Sequence, residues 1–461
     1  MGTAALLALA ACSGATPSAQ PSDTQPSGAA SARSPAPAAG APAEWTSYHA
    51  DQARTAAVDA ASPRDVSRAW TAALGGAVRG QPVAAAGRLV AATETDRVVA
   101  LDPGTGRVLW STSIGTPLTD VTAVAGCGNI DPLGITSTPV VDVAAGTVWV
   151  VGEVTDGGRV HHRLAGLDLA TGAIRASTDV DPPLRDGQRA EHLLQRASLA
   201  LADGRVYAGF GGNIGDCGAY SGWVVGASTA DPTQQVSFEV AADGEGGAIW
   251  MGGGAPAVDA AGNLYVSTGN ANPFPEGAPD PVRYGESVVK LSPDLRPLAA
   301  FKDPTAGGDE DLSTGNPVLL PDGTVFAVGK TNTGYLLRAG DLSRVAAIEG
   351  VCDSDPDGGP AYDSARQRLV VPCRGGGLQL VDLAGRTIGP RLAGADSAPV
   401  LVGDTLWAVD SRGDALAAFD AATGDRRQSL DVGADVPVFT SPTVVLGLVL
   451  VATADGVTAF R

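Results

Sequence analysis

The chain has 461 residues and a formal net charge of −19, from 31 basic and 50 acidic residues. This excess of carboxylates argues against binding to nucleic acid or to anionic lipid, since both need a positive protein surface. Glycine (61) and proline (32) are abundant and aromatic residues make up only 5%. Such a composition is typical of many short strands joined by turns.

The N-terminal region has the pattern of an exported, lipid-anchored protein. An apolar run over residues 4–11 ends at Cys12, and Leu9-Ala10-Ala11-Cys12 resembles a bacterial lipobox. The run is too short to span a membrane but suits a signal peptide. We therefore expect residues 1–12 to form a lipoprotein signal with Cys12 lipidated, which places the protein outside the cytoplasm. The alternative is a free, buried cysteine in a tail.

Residues 13–43 consist almost entirely of Ser, Ala, Pro, Gly and Thr, which cannot bury a core and are expected to form a disordered linker. No apolar run of membrane-spanning length follows Cys12, so the membrane is reached through the lipid alone. We expect one domain over residues 44–461.

That domain is built from a repeat. Seven prolines open short apolar runs, a position where the missing N–H of proline costs least: Pro82, Pro139, Pro256, Pro317, Pro360, Pro399 and Pro442. An eighth run at Ser198 lacks the proline. A turn and a second strand follow each run, and a third strand ends in a turn best preserved at Asp102, Thr105 and Gly106. Eight such units predict an all-β fold, an eight-bladed propeller of four-stranded antiparallel blades.

The eighth unit ends at Arg461 without a fourth strand, and residues 68–74 supply a spare one. We expect this N-terminal strand to complete the last blade and close the ring. The long connections, at 117–133, 152–163, 178–195, 210–221 and 270–286, join second to third strands or one blade to the next. In an up-and-down blade these connections share one face, called here the insertion face, and the opposite side is the short-turn face. Long loops on a rigid scaffold usually carry binding.

Four cysteines follow Cys12, which in an exported chain suggests two disulfides. The sequence allows three pairings, and the topology favours Cys127–Cys217 with Cys352–Cys373, because each pair falls on loops of the insertion face.

Candidate ligand-binding residues precede first strands, where the insertion face meets the axis. Arg196 and Trp250 combine a cationic fork with a flat aromatic ring, which suits an anionic, planar or sugar-like ligand. Asn316 occupies the same position in another unit, and His192 is close in sequence. The competing interpretation is that these residues only pack and satisfy backbone groups near the axis.

Asp353, Asp355 and Asp357 alternate like the first half of a calcium-binding EF-hand loop, but Ser364 stands where the bidentate Glu is expected. A calcium site and a solvated acidic loop are the two interpretations. No zinc-protease motif, phosphate-binding loop or serine-hydrolase elbow occurs, and the chain has only four histidines.

The pattern Ala100, Asp102, Thr105, Gly106 and Trp110 resembles the repeat of pyrroloquinoline quinone (PQQ) dehydrogenases, whose fold is an eight-bladed propeller. The similarity extends over residues 45–461 and includes 45–55, which resembles the segment leading into such propellers. Residues 127–130, 134–139 and 262–270 resemble a group of uncharacterised bacterial surface proteins with the same repeat. In that family the motif docks blade to blade and does not bind the quinone, and the resemblance implies the same role here.

Two functions follow from this resemblance. The first is a lipid-anchored propeller without a cofactor, which binds a cell-envelope protein or a small ligand on the insertion face, as in the outer-membrane assembly lipoprotein. The second is a PQQ- and calcium-dependent dehydrogenase of alcohols or sugars, with the quinone near Trp250 and Arg196 or Lys330 holding its oxygens. The adjacent-cysteine pair of the dehydrogenases is absent from the sequence, which favours the first.

Overall fold

Eight four-stranded antiparallel sheets make up the chain over residues 40–272 and 283–461, which the computed structural model describes. All of them belong to the second of two units, Ala36–Arg461. The predicted lipidation site Cys12 and the linker up to residue 39 lie outside the described residues. The prediction of an eight-bladed propeller is confirmed.

Each blade runs from an inner strand at the axis to an outer strand. The first four blades contain Val83–Ala85, Arg88–Ala92, Arg97–Leu101 and Val108–Ser113; Val140–Asp142, Thr147–Asp156, Arg159–Asp168 and Ile174–Asp179; Ala200–Ala202, Arg205–Gly212, Trp223–Ser228 and Gln235–Glu239; and Ala257–Val258, Leu264–Ser267, Ser287–Leu291 and Pro297–Lys302.

The other blades contain Val318–Leu319, Thr324–Ala327, Gly334–Arg338 and Arg344–Ile348; Ala361–Asp363, Arg368–Cys373, Gly377–Asp382 and Thr387–Leu392; Val400–Val402, Thr405–Asp410, Ala415–Asp420 and Arg426–Asp431; and Thr443–Val445, Leu448–Thr453, Gly456–Phe460 and Arg68–Ala73. Short strands lie at Ala57–Val58, Leu193–Leu194, Glu245–Gly246 and Ala271–Asn272, with one helix at Val121–Ala125 and 3₁₀ turns at Ala190–His192, Met251–Gly253 and Leu312–Thr314. None of the described helices is long and apolar enough to cross a bilayer.

The ring closes through the N-terminal strand, as the sequence predicts. Arg68–Ala73 pairs antiparallel with Gly456–Phe460, with Thr71 opposite Thr458. The last blade therefore combines both ends of the propeller and leaves no open edge at this joint.

The repeated turn that contains Asp102 docks neighbouring blades. The Asp102 carboxylate accepts hydrogen bonds from the amides of Gly104 and Thr105, which fixes the turn. Trp110 reaches the equivalent turn of blade two, where its Nε1 donates to the Leu169 carbonyl at 3.1 Å. A Cβ at Gly172 would lie 2.5 Å from the Trp110 ring, so the indole needs a glycine beneath it.

The segment that leads into the ring, residues 42–58, fills the axis of the propeller and is called the axial segment. It follows the inner wall once around and hydrogen-bonds to every inner strand or the turn after it, in chain order. Its partners from blade eight onward are Leu446, then Ala84, Val141, Leu201, Val258, Leu319, Tyr362 and Leu401. The eight blades are therefore fastened to one another and to a common central strap.

Arg54 is the centre of this strap. Its guanidinium is fully buried and donates to the Pro256 carbonyl, the Ser47 hydroxyl and the backbone oxygens of Tyr48 and Asp51, at 2.8–3.0 Å. Burial lowers its pKa to about 10. One cation thus holds a loop that would otherwise bury several unpaired carbonyl groups.

Both disulfides have the predicted pairing. Cys127 bonds Cys217 with a Cα–Cα distance of 5.7 Å, and Cys352 bonds Cys373 at 5.5 Å. The first joins the connection after blade one to the long turn of blade three, and the second fastens the connection before blade six to its second strand. Both lie at the insertion face and stiffen its loops.

Candidate functional site

A group of cationic and aromatic side chains surrounds the axis on the insertion face and is called the axial centre. Arg196 precedes the inner strand of blade three, and its Cζ lies 5.3 Å from the ring centroid of Phe439. Arg374 approaches the same ring at 5.4 Å, and Trp250 meets it edge-on at 5.5 Å. Each cation–ring contact of this kind contributes about 0.5–2 kcal/mol.

Phe439 comes from the connection between blades seven and eight. Its φ of 66° lies in the left-handed region, which costs a non-glycine residue about 1–3 kcal/mol. The neighbouring turn is fixed because the Thr440 hydroxyl donates to the Pro437 carbonyl at 2.6 Å and the Val436 amide donates to Asp414 at 2.8 Å. The loop therefore holds this ring against the arginines in a strained conformation.

Arg196 differs from the other arginines of the axial centre in its pairing. Arg79 pairs with Glu94 at 3.2 Å, and Arg374 pairs with Asp357 at 2.9 Å. Arg196 is only 5% exposed, belongs to none of the ion pairs among the described residues and donates one long hydrogen bond, 3.4 Å, to the Val438 carbonyl. Burial and the neighbouring Arg79 lower its pKa to about 10.

The floor of the axial centre is formed by the axial segment. The Tyr48 hydroxyl accepts the Gly359 amide at 3.2 Å, and burial raises the pKa of this phenol above its ordinary value. His49 stacks on Tyr48 with ring centroids 3.9 Å apart, and burial beside Arg54 lowers its pKa to about 3. The imidazole is therefore neutral, and the floor adds no negative charge near Arg196.

The structure brings Arg196 and Trp250 together, with Phe439 between them. Asn316 lies in the wall next to them: it is 1% exposed, its Nδ2 donates to the Pro317 carbonyl at 2.8 Å, and its Oδ1 has no hydrogen-bond partner among the described residues. A Cβ at Gly254 would lie 2.1 Å from that oxygen.

The other two candidates have separate surroundings. His192 packs its ring on Gly218 and places Nδ1 3.3 Å from the Ala219 carbonyl, so it braces the loop that carries Cys217. Lys330 lies between Asp309 at 2.6 Å and Asp311 at 2.9 Å. Neither contacts the axial centre.

The acidic run after Cys352 is paired with arginines. Asp355 and Asp357 both face Arg374, at 3.2 and 2.9 Å, while Asp353 pairs with Arg391. Within the part of the chain that the structure describes, no three acidic, histidine or cysteine side chains are grouped as a metal site. The three carboxylates are thus ion-paired with arginines in this structure, and the calcium loop stays a prediction.

Several residues of the axial centre were missed in the sequence. Arg79 stands just before a first strand, as Arg196 does, and the same positional argument could have found it. Phe439, Arg374 and Glu94 are different: they come from an inter-blade loop and two second-to-third strand turns, and their convergence depends on the closed ring.

A second buried group of charges lies between blades one and two. Asp96 is fully buried, and neither of its oxygens has a hydrogen-bond partner among the described residues. Burial, with repulsion from Glu94 and Glu153, raises its pKa to about 8. Glu153 is also buried, which raises its pKa to about 7, although His162 lies 3.6 Å away.

His162 links this group to the surface. Its Nδ1 lies 2.9 Å from Asp181, whose other oxygen lies 3.2 Å from Nδ1 of His161. Burial opposes protonation of His162, but Asp181 and Glu153 outweigh it and raise its pKa to about 10. The row of side chains therefore contains a buried imidazolium between two carboxyl groups.

Comparison with known proteins identifies the class as a PQQ-type propeller. The family model described as outer membrane protein assembly factor BamB matches residues 52–289, just over half of the chain. The chain therefore belongs to this family. A search of curated proteins found no match.

Solved structures give the same fold. Quinohemoprotein alcohol dehydrogenase from Comamonas testosteroni is 15% identical with a TM-score of 0.67, covering 90% of this chain and 80% of its own. A europium-containing methanol dehydrogenase is 15% identical with a TM-score of 0.69 and covers 90% of both chains. BamB from Moraxella catarrhalis is 13% identical with a TM-score of 0.56, covering 86% of this chain and 97% of its own. At these identities the likeness concerns the fold alone.

Proposed function

We propose that this protein is a binding propeller of the cell envelope without enzymatic activity, anchored through Cys12, that holds an anionic group of a protein or small ligand at the axial centre. The observation that carries the proposal is Arg196, a 5% exposed guanidinium outside every ion pair among the described residues. Glu94 and Asp357 are close enough to offset part of the cost of burying this cation, but each forms its ion pair with another arginine, so the burial of Arg196 remains costly. An incoming carboxylate would relieve that cost through charge-assisted, bidentate hydrogen bonds.

The surroundings support a flat ligand. Phe439 and Trp250 offer aromatic surfaces beside the guanidinium groups, against which the ring of a planar anion could pack. The family description, an outer membrane protein assembly factor, supports a role in the envelope. The two disulfides support an oxidising location.

A second candidate, the PQQ- and calcium-dependent dehydrogenase, is favoured by the fold it shares with quinoprotein dehydrogenases. The residues present do not fit that cofactor. Lys330 is engaged by Asp309 and Asp311, and Glu94 and Asp357 at the axis are bound by arginines. Calcium needs several free oxygen ligands, and each of these carboxylates already has a cationic partner.

Calorimetric titration of the full chain tests the proposal, with benzene-1,3,5-tricarboxylate as a flat polyanion and with PQQ plus calcium. We expect the tricarboxylate to bind and Arg196→Met to weaken binding at least tenfold. Arg107→Met, an exposed arginine on the short-turn face, is the matched control and should bind normally. Because Met replaces an unpaired buried charge with an apolar side chain of similar length, R196M should remain folded.

Equal affinity of R196M and the unaltered protein would contradict the axial centre. Stoichiometric PQQ binding with dye reduction on an alcohol panel would overturn the non-catalytic function and establish the second candidate.

A further inference from the structure

A cleft of about 530 Å³ opens on the insertion face beside blade two, away from the axial centre. One wall is the beginning of the third strand, residues 158–161, and the other is the connection that follows the outer strand, residues 181–191. Val124, 38% exposed, also lines the cleft. The cleft is therefore built along the edge of a β-strand.

The backbone at this edge is unpaired. Thr155 and Val160 face each other in the hairpin of blade two, but the Thr155 amide donates away from the hairpin, to Thr116 at 2.7 Å. Thr155 and Val160 are therefore a non-hydrogen-bonded pair of the antiparallel ladder, in which neither residue bonds the backbone of the other. The N–H and C=O of Val160 therefore point to the opposite edge, into the cleft.

The next equivalent position confirms the direction of this edge. Two residues further on, His162 accepts the Val180 amide at 2.7 Å and donates its own amide to Asp181 at 2.9 Å. Alternate residues of a strand present their backbone groups to the same side. Val160 repeats the geometry of His162 but has no such backbone partner among the described residues.

The sequence explains why the edge stays open. The outer strand ends at Asp179, and Val180 makes the last backbone contact. Pro182 and Pro183 follow, and neither has an N–H to continue the ladder. The chain then turns away and forms the far wall of the cleft.

The lining indicates the chemistry of an occupant. Val160, Leu184 and Pro182 provide an apolar surface. The charged groups are mostly engaged: Asp181 with His161 and His162, and Arg189 with Glu191. Arg159 is exposed and belongs to none of the ion pairs among the described residues, although Asp156 faces it across the turn. Asp156 does not line the cleft, so the unpaired charge among the lining residues is positive.

We propose that this cleft binds an extended peptide segment of a partner protein, which adds as a strand along residues 158–160 and places an acidic side chain on Arg159. The proposal deepens the binding role put forward above and names the segment that is recognised. An added strand obtains affinity from backbone hydrogen bonds and specificity from alternate side chains. Apolar residues would face Val160 and Leu184, and the acidic one would face solvent near Arg159.

The probe is a fluorescein-labelled, amidated hexapeptide, Thr-Val-Thr-Val-Glu-Thr, titrated into the full chain and followed by anisotropy. A second peptide carries Lys in place of Glu. Hydrogen exchange measured by mass spectrometry on residues 156–163 reports whether the strand edge is covered. We expect the Glu peptide to bind at least fivefold more tightly than the Lys peptide and to slow exchange in this segment.

Two variants locate the site. Val160→Pro removes the outward N–H without breaking a hydrogen bond inside the hairpin, and should weaken binding at least tenfold. Arg159→Glu should reverse the preference between the Glu and Lys peptides, and it decides the question if V160P does not fold. Arg107→Glu on the short-turn face is the control and should change nothing.

Failure of the Glu peptide to bind at 1 mM, unchanged exchange at residues 156–163, or normal binding by both V160P and R159E would each overturn the proposal. R196M leaves this cleft intact, so it should bind the peptide normally. Loss of tricarboxylate binding and loss of peptide binding thus report separately on the axial centre and on the cleft.

Discussion

Replacing Asp96 by Asn is expected to change the pH dependence of folding more than any surface substitution. Asp96 is fully buried in the turn between the second and third strands of blade one, and neither oxygen has a hydrogen-bond partner among the described residues. A Cβ at Gly134 or Gly152 would lie 2.9 or 2.5 Å from its Oδ1. The carboxyl group is thus enclosed by backbone and is isosteric with the amide.

The direction of the pH dependence follows from the number of protons that the folded and unfolded chains bind. Burial, with Glu94 and Glu153 nearby, raises the pKa of Asp96 from 3.8 to about 8. Between these values the folded protein keeps a proton that the unfolded chain has released, so stability falls as pH rises from about 4 to about 8 and then levels off. At about 1.4 kcal/mol per pKa unit, the upper limit of this loss is roughly 6 kcal/mol.

The Asn side chain does not titrate, so D96N does not lose stability as pH rises. Its NH₂ group, however, adds buried hydrogen-bond donors without acceptors, which lowers the stability by about 1–3 kcal/mol at every pH. We therefore expect D96N to be about 1 kcal/mol less stable than the unaltered protein near pH 4.5. Near pH 8.5 it should be about 2–4 kcal/mol more stable.

Guanidinium unfolding of the disulfide-intact chain, followed by tryptophan fluorescence from pH 4.5 to 8.5, measures the difference. Asp65→Asn, at an exposed position without a side-chain hydrogen bond among the described residues, is the control and should follow the unaltered protein throughout. A constant stability difference between D96N and the unaltered protein across this pH range would refute the reasoning.

Three further changes test the scaffold. Arg54→Met should lower the stability measured by urea unfolding by about 3–5 kcal/mol, because four acceptors lose their donor. A loss below 1 kcal/mol would mean that the axial segment does not fasten the ring. Replacing Cys127 and Cys217 together by Ser should cost about 2–4 kcal/mol by thermal unfolding, and an unchanged transition would contradict a structural role. His162 has a folded-state pKa raised to about 10, so its stabilisation is complete below about pH 6.5 and disappears as pH rises through about 10. His162→Gln should accordingly cost more stability at pH 6 than at pH 10 in chemical denaturation, and a cost independent of pH would speak against the buried imidazolium.

Much of the architecture follows from local sequence. Each blade is recognised by a proline before an apolar run, a glycine turn and a second run. Proline restricts φ and glycine permits unusual φ values, so these residues mark where strands begin and end whatever lies elsewhere in the chain. The same local signals placed the spare strand at residues 68–74 and hence the closure with Gly456–Phe460. The favoured disulfide pairing agrees with the structure, although strand order places all four cysteines on one face and by itself leaves three pairings open.

The site depended on contacts that no local pattern contains. Position before an inner strand identified Arg196 and Trp250, but Phe439, Arg374 and Glu94 reach the axis from three different connections, and only the closed ring brings them together. The spacing of Asp353, Asp355 and Asp357 was visible in the sequence, but the arginine that pairs with Asp357 was not. The path of residues 42–58 was hidden for the same reason: its hydrogen bonds to seven inner strands and to the turn after the eighth exist only after the strands have been arranged in a circle. Sequence periodicity therefore determined the blades of this protein, while charge pairing and axial packing, which act between residues far apart in the chain, were decided by the tertiary structure.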